Sequence, residues 1–278
     1  MNIFHAIILA LVQGVTEFLP ISSTAHLILL PRLTSWPDQG LAFDVALNTA
    51  TWLAVIIYFR SELVALTIGF LRTISPERRR VFGRRRGRGI GVNPEGRLAW
   101  MILIGTIPVG LAGFFAHDIV SGRLRTLPVV AISSIVWGIV LFLADRRPGR
   151  KEVSGMGWGS VIFIGIAQAI ALIPGTSRSG ITITAGLFTG MSRSASARFS
   201  FLLSVIVGGL AGSLEGMKLV KAGLDTPWSA LIVGFIVAFV SAYFVIHLFL
   251  KFITHASMTP FVIYRVALGL LLFAFMFL

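Results

Sequence analysis

The chain of 278 residues has no cysteine and little charge: Asp, Glu, Lys and Arg together make up 13% of it, against roughly 25% in soluble domains. The missing cysteine excludes disulfides, thiolate-held zinc and a thiol nucleophile, and leaves the redox compartment open. The shortage of charge is sharper locally. Residues 126–144, 153–177 and 226–250 carry no charged side chain, and uncharged apolar runs of about 18 residues or more read as bilayer spans. A soluble globular domain is therefore excluded. The polar/apolar alternation of a membrane β-barrel is also absent. The expected fold class is an all-α polytopic membrane protein, one integral membrane domain over 1–278.

Acid is scarcer than base, 11 residues against 24, for a formal net charge of +13. The excess is concentrated. Nine Arg fall between Arg72 and Arg97, with only Glu77 and Glu95 among them. This loop lies between apolar blocks, where the positive-inside rule makes it cytoplasmic and a contact for anionic lipid; nucleic acid is not expected as a partner. The start, Met1 to His5, lacks the basic region of a cleaved signal peptide, so the first helix is expected to be retained.

Six blocks read as full spans: about 41–60, 98–116, 128–144, 199–216, 229–250 and 260–278. Two further blocks, 1–30 and 153–190, are apolar but interrupted, at Leu19-Pro20-Ile21-Ser22-Ser23-Thr24 and at Ile173-Pro174-Gly175-Thr176-Ser177-Arg178-Ser179-Gly180. Pro removes a backbone donor and Gly and Ser loosen a helix. Irregular backbone at membrane depth is tolerated only inside protein or beside a wet cavity. Both blocks are expected to be re-entrant hairpins. They also resemble each other: Gln13 precedes Pro20 and a Ser/Thr cluster, Gln168 precedes Pro174 and another, and spans opening near Phe43 and Phe199 follow. This suggests a duplication, repeat 1 over about 1–145 and repeat 2 over about 153–278. With the loop 72–97 and the cluster Arg146, Arg147, Arg150 and Lys151 both inside, hairpin 1 enters from outside and hairpin 2 from inside. Three spans per repeat then make the repeats inverted.

Ionisable groups within membrane segments are functional hypotheses by default. Hairpin 1 holds Glu17 and His26, with Gln13 one turn before Glu17 and Ser22, Ser23 and Thr24 at the break. Hairpin 2 holds Arg178, with Gly175, Ser177, Ser179, Gly180 and Thr182 around it. Arg, Ser and Gly at a helix N-terminus form an oxyanion cradle. A structural Glu17–Arg178 ion pair is the plainer reading of the same residues. Ser204 and Ser241 are expected to serve packing. His5, His247, His255, Asp44, Arg60 and Glu62 are expected at span ends, His117-Asp118 at an outer loop, Arg193 and Arg198 at the opening of a span, and Arg265 snorkelling to the inner interface.

The run Gln13-Gly-Val-Thr-Glu17-Phe-Leu-Pro20-Ile-Ser22-Ser23-Thr24-Ala-His26 resembles the first motif of the undecaprenyl pyrophosphate phosphatases, also called bacitracin resistance proteins. Pro174-Gly175-Thr-Ser177-Arg178-Ser179-Gly180-Ile-Thr182 is similar to their second, and the likeness extends to Phe199-Ser-Phe-Leu-Leu and Tyr264-Arg265. Gln13 stands where many members have Glu, which leaves one carboxylate fewer for a metal. The resemblance implies hydrolysis of undecaprenyl diphosphate to undecaprenyl phosphate in the bacterial cytoplasmic membrane, which recycles the carrier for peptidoglycan synthesis and confers bacitracin resistance. On this reading Arg178 grips phosphate and Glu17 holds Mg²⁺ or Ca²⁺ shared with the diphosphate. Ser23 is the preferred nucleophile with His26 as its base, a nucleophilic His26 or an activated water being the alternatives. Gln13, Ser22, Thr24, Gly175, Ser177, Ser179 and Thr182 are expected to bind substrate. The expected partners are the polyprenyl lipid and the bilayer, and a homodimer is one assembly the sequence permits. The competing function is a transporter or flippase of a polyprenyl phosphate, since inverted repeats with broken helices are typical of secondary transporters.

Overall fold

The computed structural model describes residues 2–34, 36, 39–75, 93–118, 124, 126–222 and 227–276. Most of the Arg-rich loop, and the side chains of His117 and Asp118, lie outside the described residues. The described chain is all-helical, with eleven α-helices: α1 Ile3–Thr16, α2 Ser23–Thr34, α3 Gly40–Tyr58, α4 Arg60–Ile74, α5 Pro94–Asp118, α6 Leu127–Asp145, α7 Trp158–Ile170, α8 Arg178–Phe188, α9 Arg193–Ala222, α10 Trp228–Ile253 and α11 Thr259–Ala274. Five of these, α3, α5, α6, α9 and α10, are long and apolar enough to cross a membrane. Together they make this a multi-pass membrane protein. At 16 residues, α11 is shorter than the block expected over 260–278. Helix α4 has no counterpart among the expected spans. It mixes Arg60, Glu62 and Arg72 with apolar residues, a composition too polar to announce a span, and it packs along α5.

Local chemistry sets the helix starts. The Asn2 side chain accepts the His5 amide at 2.8 Å and caps α1. Pro128 and Pro260 occupy the first turns of α6 and α11, where an amide hydrogen would have no intrahelical acceptor.

Helix α10 shows how a membrane helix divides its faces. Ile232, Ile236, Val240, Phe244 and Leu248, four residues apart, are exposed, while the opposite line Ala230, Gly234, Ala238, Ala242 and Ile246 is buried. Small residues face the protein and large apolar ones face outward, the pattern of helices that associate by close backbone packing in lipid. The partners are crossed between the two halves of the chain. Helix α1 packs chiefly on α10, and α7 chiefly on α5; α3 lies against both α9 and α10, and α6 lies along α11. At the α7–α5 contact a Cβ on Gly165 would sit 2.7 Å from the Gly105 carbonyl oxygen, so only glycine permits that approach.

Two ion-pair clasps join helices from the two halves of the chain. The Arg193 guanidinium bonds the Asp145 carboxylate, whose other oxygen accepts the Met258 amide at 2.8 Å, joining the ends of α6, α9 and α11. Arg198 pairs with Glu62 at 2.9 Å. These ion pairs account for both arginines structurally, and neither residue lines the cavity described next.

Candidate active site

Between α1 and α2, and again between α7 and α8, the backbone leaves the helix at residues 17–22 and 171–177 and resumes at Ser23 and Arg178. The residue before each resumption is left-handed: Ser22 has φ 70° and Ser177 has φ 68°, the sole non-glycine residues with positive φ among those described. Such a conformation costs roughly 1–2 kcal/mol for an L-residue. It persists where surrounding contacts over-determine it, typically at functional sites. Ser177 repays part of the cost as a cap, its Oγ accepting the Gly180 amide at 3.1 Å. Gly175, with φ 89°, passes so close to α6 that a Cβ would meet the Val130 carbonyl oxygen at 2.5 Å.

Arg265 holds the two breaks together. Its side chain is 0% exposed, which corrects the expectation that it snorkels to the interface. Its guanidinium donates to the carbonyls of Pro20 (3.2 Å), Gly175 (3.0 Å), Thr176 (2.8 Å), Ser133 (3.4 Å) and Ser134 (3.2 Å). The first three acceptors belong to the breaks, where no helical amide serves them. A fork of donors in one plane suits this task as a lysine would not. A further tie comes from Ser179 Oγ, which donates to the Leu19 carbonyl at 2.9 Å.

So clamped, the breaks place Glu17 between the two motifs. Its Oε2 accepts Ser23 Oγ at 2.7 Å and Gln13 Nε2 at 3.1 Å, and its Oε1 accepts Arg178 Nη2 at 3.2 Å. Glu17 and Arg178 keep about a fifth of their side-chain surface exposed. They line a cavity of about 410 Å³ shared with Gln13, Ser22, Ser23, Thr24, Gly175 and Ser177. Two buried atoms of cavity-lining residues, Arg178 Nη1 and Gln13 Oε1, have no hydrogen-bond partner; a buried, unsatisfied donor of this kind is what an incoming oxyanion would satisfy.

Three of the expected site residues stand elsewhere. His26 is engaged elsewhere than at Ser23: Nδ1 donates to the Ser22 carbonyl at 2.7 Å and Nε2 shares a hydrogen bond of 2.6 Å with the Tyr264 hydroxyl, the two rings stacked 5.5 Å apart. Ser179 is fully buried on Leu19. Thr182 bonds Ser200 Oγ at 2.6 Å and the Arg178 carbonyl. None of the three lines the cavity.

Three other polar residues line it without having been singled out for the site: Asp44, Asn48 and Glu215. Asn48 Oδ1 accepts Gln13 Nε2 at 2.9 Å, and its Nδ2 reaches Glu215 at 3.4 Å. Asp44 and Asn48, one turn apart in a span that is mostly apolar, were the available signal. Among the described residues no group of three or more His, Cys, Asp or Glu forms a metal site. The cavity is lined by the carboxylates Glu17, Asp44 and Glu215 and the amides Gln13 and Asn48, so a cation would fit here with some of these oxygens and a ligand it shares.

The fold and site together define a multi-pass membrane protein with a carboxylate, a hydroxyl and a guanidinium in one polar cavity. Residues 6–271 match the family described as Bacitracin resistance protein BacA, and the chain belongs to that family. It is 49% identical over 278 residues to an undecaprenyl-diphosphatase of Thioalkalivibrio sulfidiphilus, covering 99% of this chain and 100% of that one. It is 46% identical over 274 residues to an undecaprenyl-diphosphatase of Teredinibacter turnerae, covering 98% and 99%.

Proposed function

We infer that this chain is an undecaprenyl-diphosphatase: it hydrolyses undecaprenyl diphosphate to undecaprenyl phosphate and inorganic phosphate, in the bacterial cytoplasmic membrane. The observation that carries this, beside the family, is the convergence of Ser23, Glu17 and Arg178 from opposite halves of the chain. Diphosphate hydrolysis needs a nucleophile, a proton acceptor and donors for the phosphoryl oxygens. Ser23 Oγ attacks the terminal phosphorus while its proton passes to Glu17 Oε2, to which it is already bonded. The phosphorus–oxygen bond to the bridging oxygen breaks, and undecaprenyl phosphate leaves with the proton that Glu17 took. Water then attacks the phosphoserine and gives its proton to Glu17, the bond from phosphorus to Ser23 Oγ breaks, Glu17 returns the proton to that oxygen, and inorganic phosphate departs. Arg178 holds the phosphoryl oxygens through Nη1, and the N-termini of α2 and α8 add their amide dipoles.

Glu17 takes the role of base in this scheme in preference to His26, because the Ser23 hydroxyl points at the carboxylate and both imidazole nitrogens are engaged elsewhere. His26 then fixes the start of α2. A divalent cation would be held by Glu17 and Gln13 Oε1 together with the diphosphate, supplying charge neutralisation. Ser22, Thr24, Gly175 and Ser177 line the remaining wall and contact the substrate.

The two helix–break–helix units are re-entrant hairpins in an inverted repeat on this reading, with 72–97 cytoplasmic. Matching left-handed serines, buried Gln13 and Gln168, and the crossed pairing of α1 with α10 and α7 with α5 support it. The test of function is phosphate release by the purified protein in detergent. One phosphate per undecaprenyl diphosphate supports hydrolysis; a carrier without hydrolytic activity would release none.

A further inference from the structure

Glu17 can take a proton from Ser23 only while its Oε2 is held against that hydroxyl. Arg178 grips the other oxygen at 3.2 Å but has the substrate to hold as well. The remaining donor on Oε2 is Gln13 Nε2, at 3.1 Å. An amide can present either end, so whatever orients Gln13 also orients the carboxylate. Its second contact supplies that: Nε2 donates to Asn48 Oδ1 at 2.9 Å. Turned over, Gln13 would set its carbonyl oxygen against two acceptors and leave both without their donor.

The sense of Asn48 is fixed in turn. Its Nδ2 lies 3.4 Å from Glu215 Oε2, and a carboxylate accepts without donating, so Oδ1 is the end left for Gln13. Helix α3 carries Asn48 to this place because Trp52, one turn further on, is seated on α9. The Trp52 Nε1 donates to the Val205 carbonyl at 2.7 Å, and a Cβ on Gly208 would meet the indole at 2.5 Å, so the ring fits only against glycine. Two amides thus pass one hydrogen-bond sense from Glu215 on α9 to Glu17 at the end of α1.

The second half of the chain has the glutamine without the relay. Gln168 matches Gln13 and is fully buried, yet its Nε2 donates to the Gly105 carbonyl at 3.4 Å. Leu172 stands four residues on, where the first half has Glu17. With Phe43 set against Phe199, Asn48 corresponds to Ser204, whose Oγ bonds back to the Phe201 carbonyl at 2.6 Å. Where no carboxylate needs orienting, the glutamine serves helix packing and a serine stands in place of the amide.

We propose that Asn48 is a positioning residue for the hydrolysis: through Gln13 it holds Glu17 Oε2 on the Ser23 hydroxyl, and it does not itself touch the reacting atoms. The proposal rests on the diphosphatase reading and extends the site to α3, outside both motifs.

A double-mutant cycle on phosphate release from undecaprenyl diphosphate tests it. Asn48→Leu, close in size, should lower kcat about tenfold and leave KM within about threefold, because a misplaced base slows the chemistry and not the binding. With Gln13→Met already in place nothing remains for Asn48 to orient, and the same substitution should then change kcat by less than about twofold. An equal fold loss in both backgrounds, a rise in KM at unchanged kcat, or wild-type kcat in Asn48→Leu would overturn the proposal. If Asn48→Leu does not yield folded protein, the cycle is run with Asn48→Ala, which only shortens the side chain, and is read in the same way. Absence of phosphate release by the wild-type protein would overturn the diphosphatase reading and this role with it, whereas an active wild-type protein with equal losses in both backgrounds overturns the role of Asn48 alone.

Discussion

Arg265→Met removes the clamp on both breaks while keeping an unbranched, apolar stem. The carbonyls of Ser133 and Ser134 lie within α6, whereas those of Pro20, Gly175 and Thr176 lose their guanidinium donor in irregular backbone. An unsatisfied buried acceptor costs about 1–3 kcal/mol, so three cost roughly 3–9 kcal/mol. Removing a buried cation offsets part of this, because its own desolvation is relieved. A net loss near the lower bound, about 3 kcal/mol, is a large share of the roughly 5–15 kcal/mol that holds a typical protein together. At roughly 2–4 °C per kcal/mol it lowers the melting temperature by about 6–12 °C. Arg265→Lys should fall between, since three donors on one nitrogen cannot span five carbonyls. The assay is thermal unfolding of the detergent-solubilised protein followed by aggregation-sensitive size exclusion, with phosphate release measured on the soluble fraction. Wild-type melting and turnover in Arg265→Met would refute the clamp.

Arg178→Lys should lose about tenfold to a hundredfold in kcat/KM for undecaprenyl diphosphate, since an ammonium cannot replace a charge-assisted fork; turnover near wild type would remove it from phosphate binding. Glu17→Gln should lower kcat by roughly a hundredfold or more, the size of a lost general base, and a kcat within tenfold of wild type would transfer that role. Gln13→Glu sets a second carboxylate against Glu17 in place of an amide donor, so its activity should become more sensitive to chelator than that of wild type; identical chelator titrations would exclude a shared cation there. Cysteines at Gly83 and Arg123 report orientation: an impermeant thiol reagent on intact cells, with any outer membrane permeabilised, should label 123 and spare 83, and the reverse pattern would invert the topology.

Much of the helical fold was legible because charge is absent from long stretches, and burying a charge in lipid is costly enough to make that absence informative. Helix α4 was not, because Arg60, Glu62 and Arg72 dilute its apolar side. Within the site, Glu17, Ser23 and Arg178 stood out as polar groups beside Pro and Gly in apolar blocks, and the structure brings them into contact. Arg265 was visible as a charge near the start of a span, but a sequence does not say which face of a helix points inward, and its acceptors lie up to 245 residues away. The same limit applies to Tyr264 on His26 and to Asn48 beside Glu215, pairs joined across 238 and 167 positions. His26 was expected as the base for Ser23, three residues before it. On the helix that follows Ser22, the imidazole instead reaches back to the carbonyl one turn earlier, and the hydroxyl is left to Glu17.

The proposed mechanism turns on Ser23 becoming phosphorylated. Purified protein mixed with undecaprenyl diphosphate carrying ³²P in the terminal phosphate, and quenched in acid during the first turnovers, should carry label on a peptide containing Ser23. The Ser23→Ala protein should carry none and release phosphate at least about a thousandfold more slowly. Release of phosphate by the wild-type protein with no labelled protein at any quench time, together with substantial turnover by Ser23→Ala, would contradict attack by Ser23.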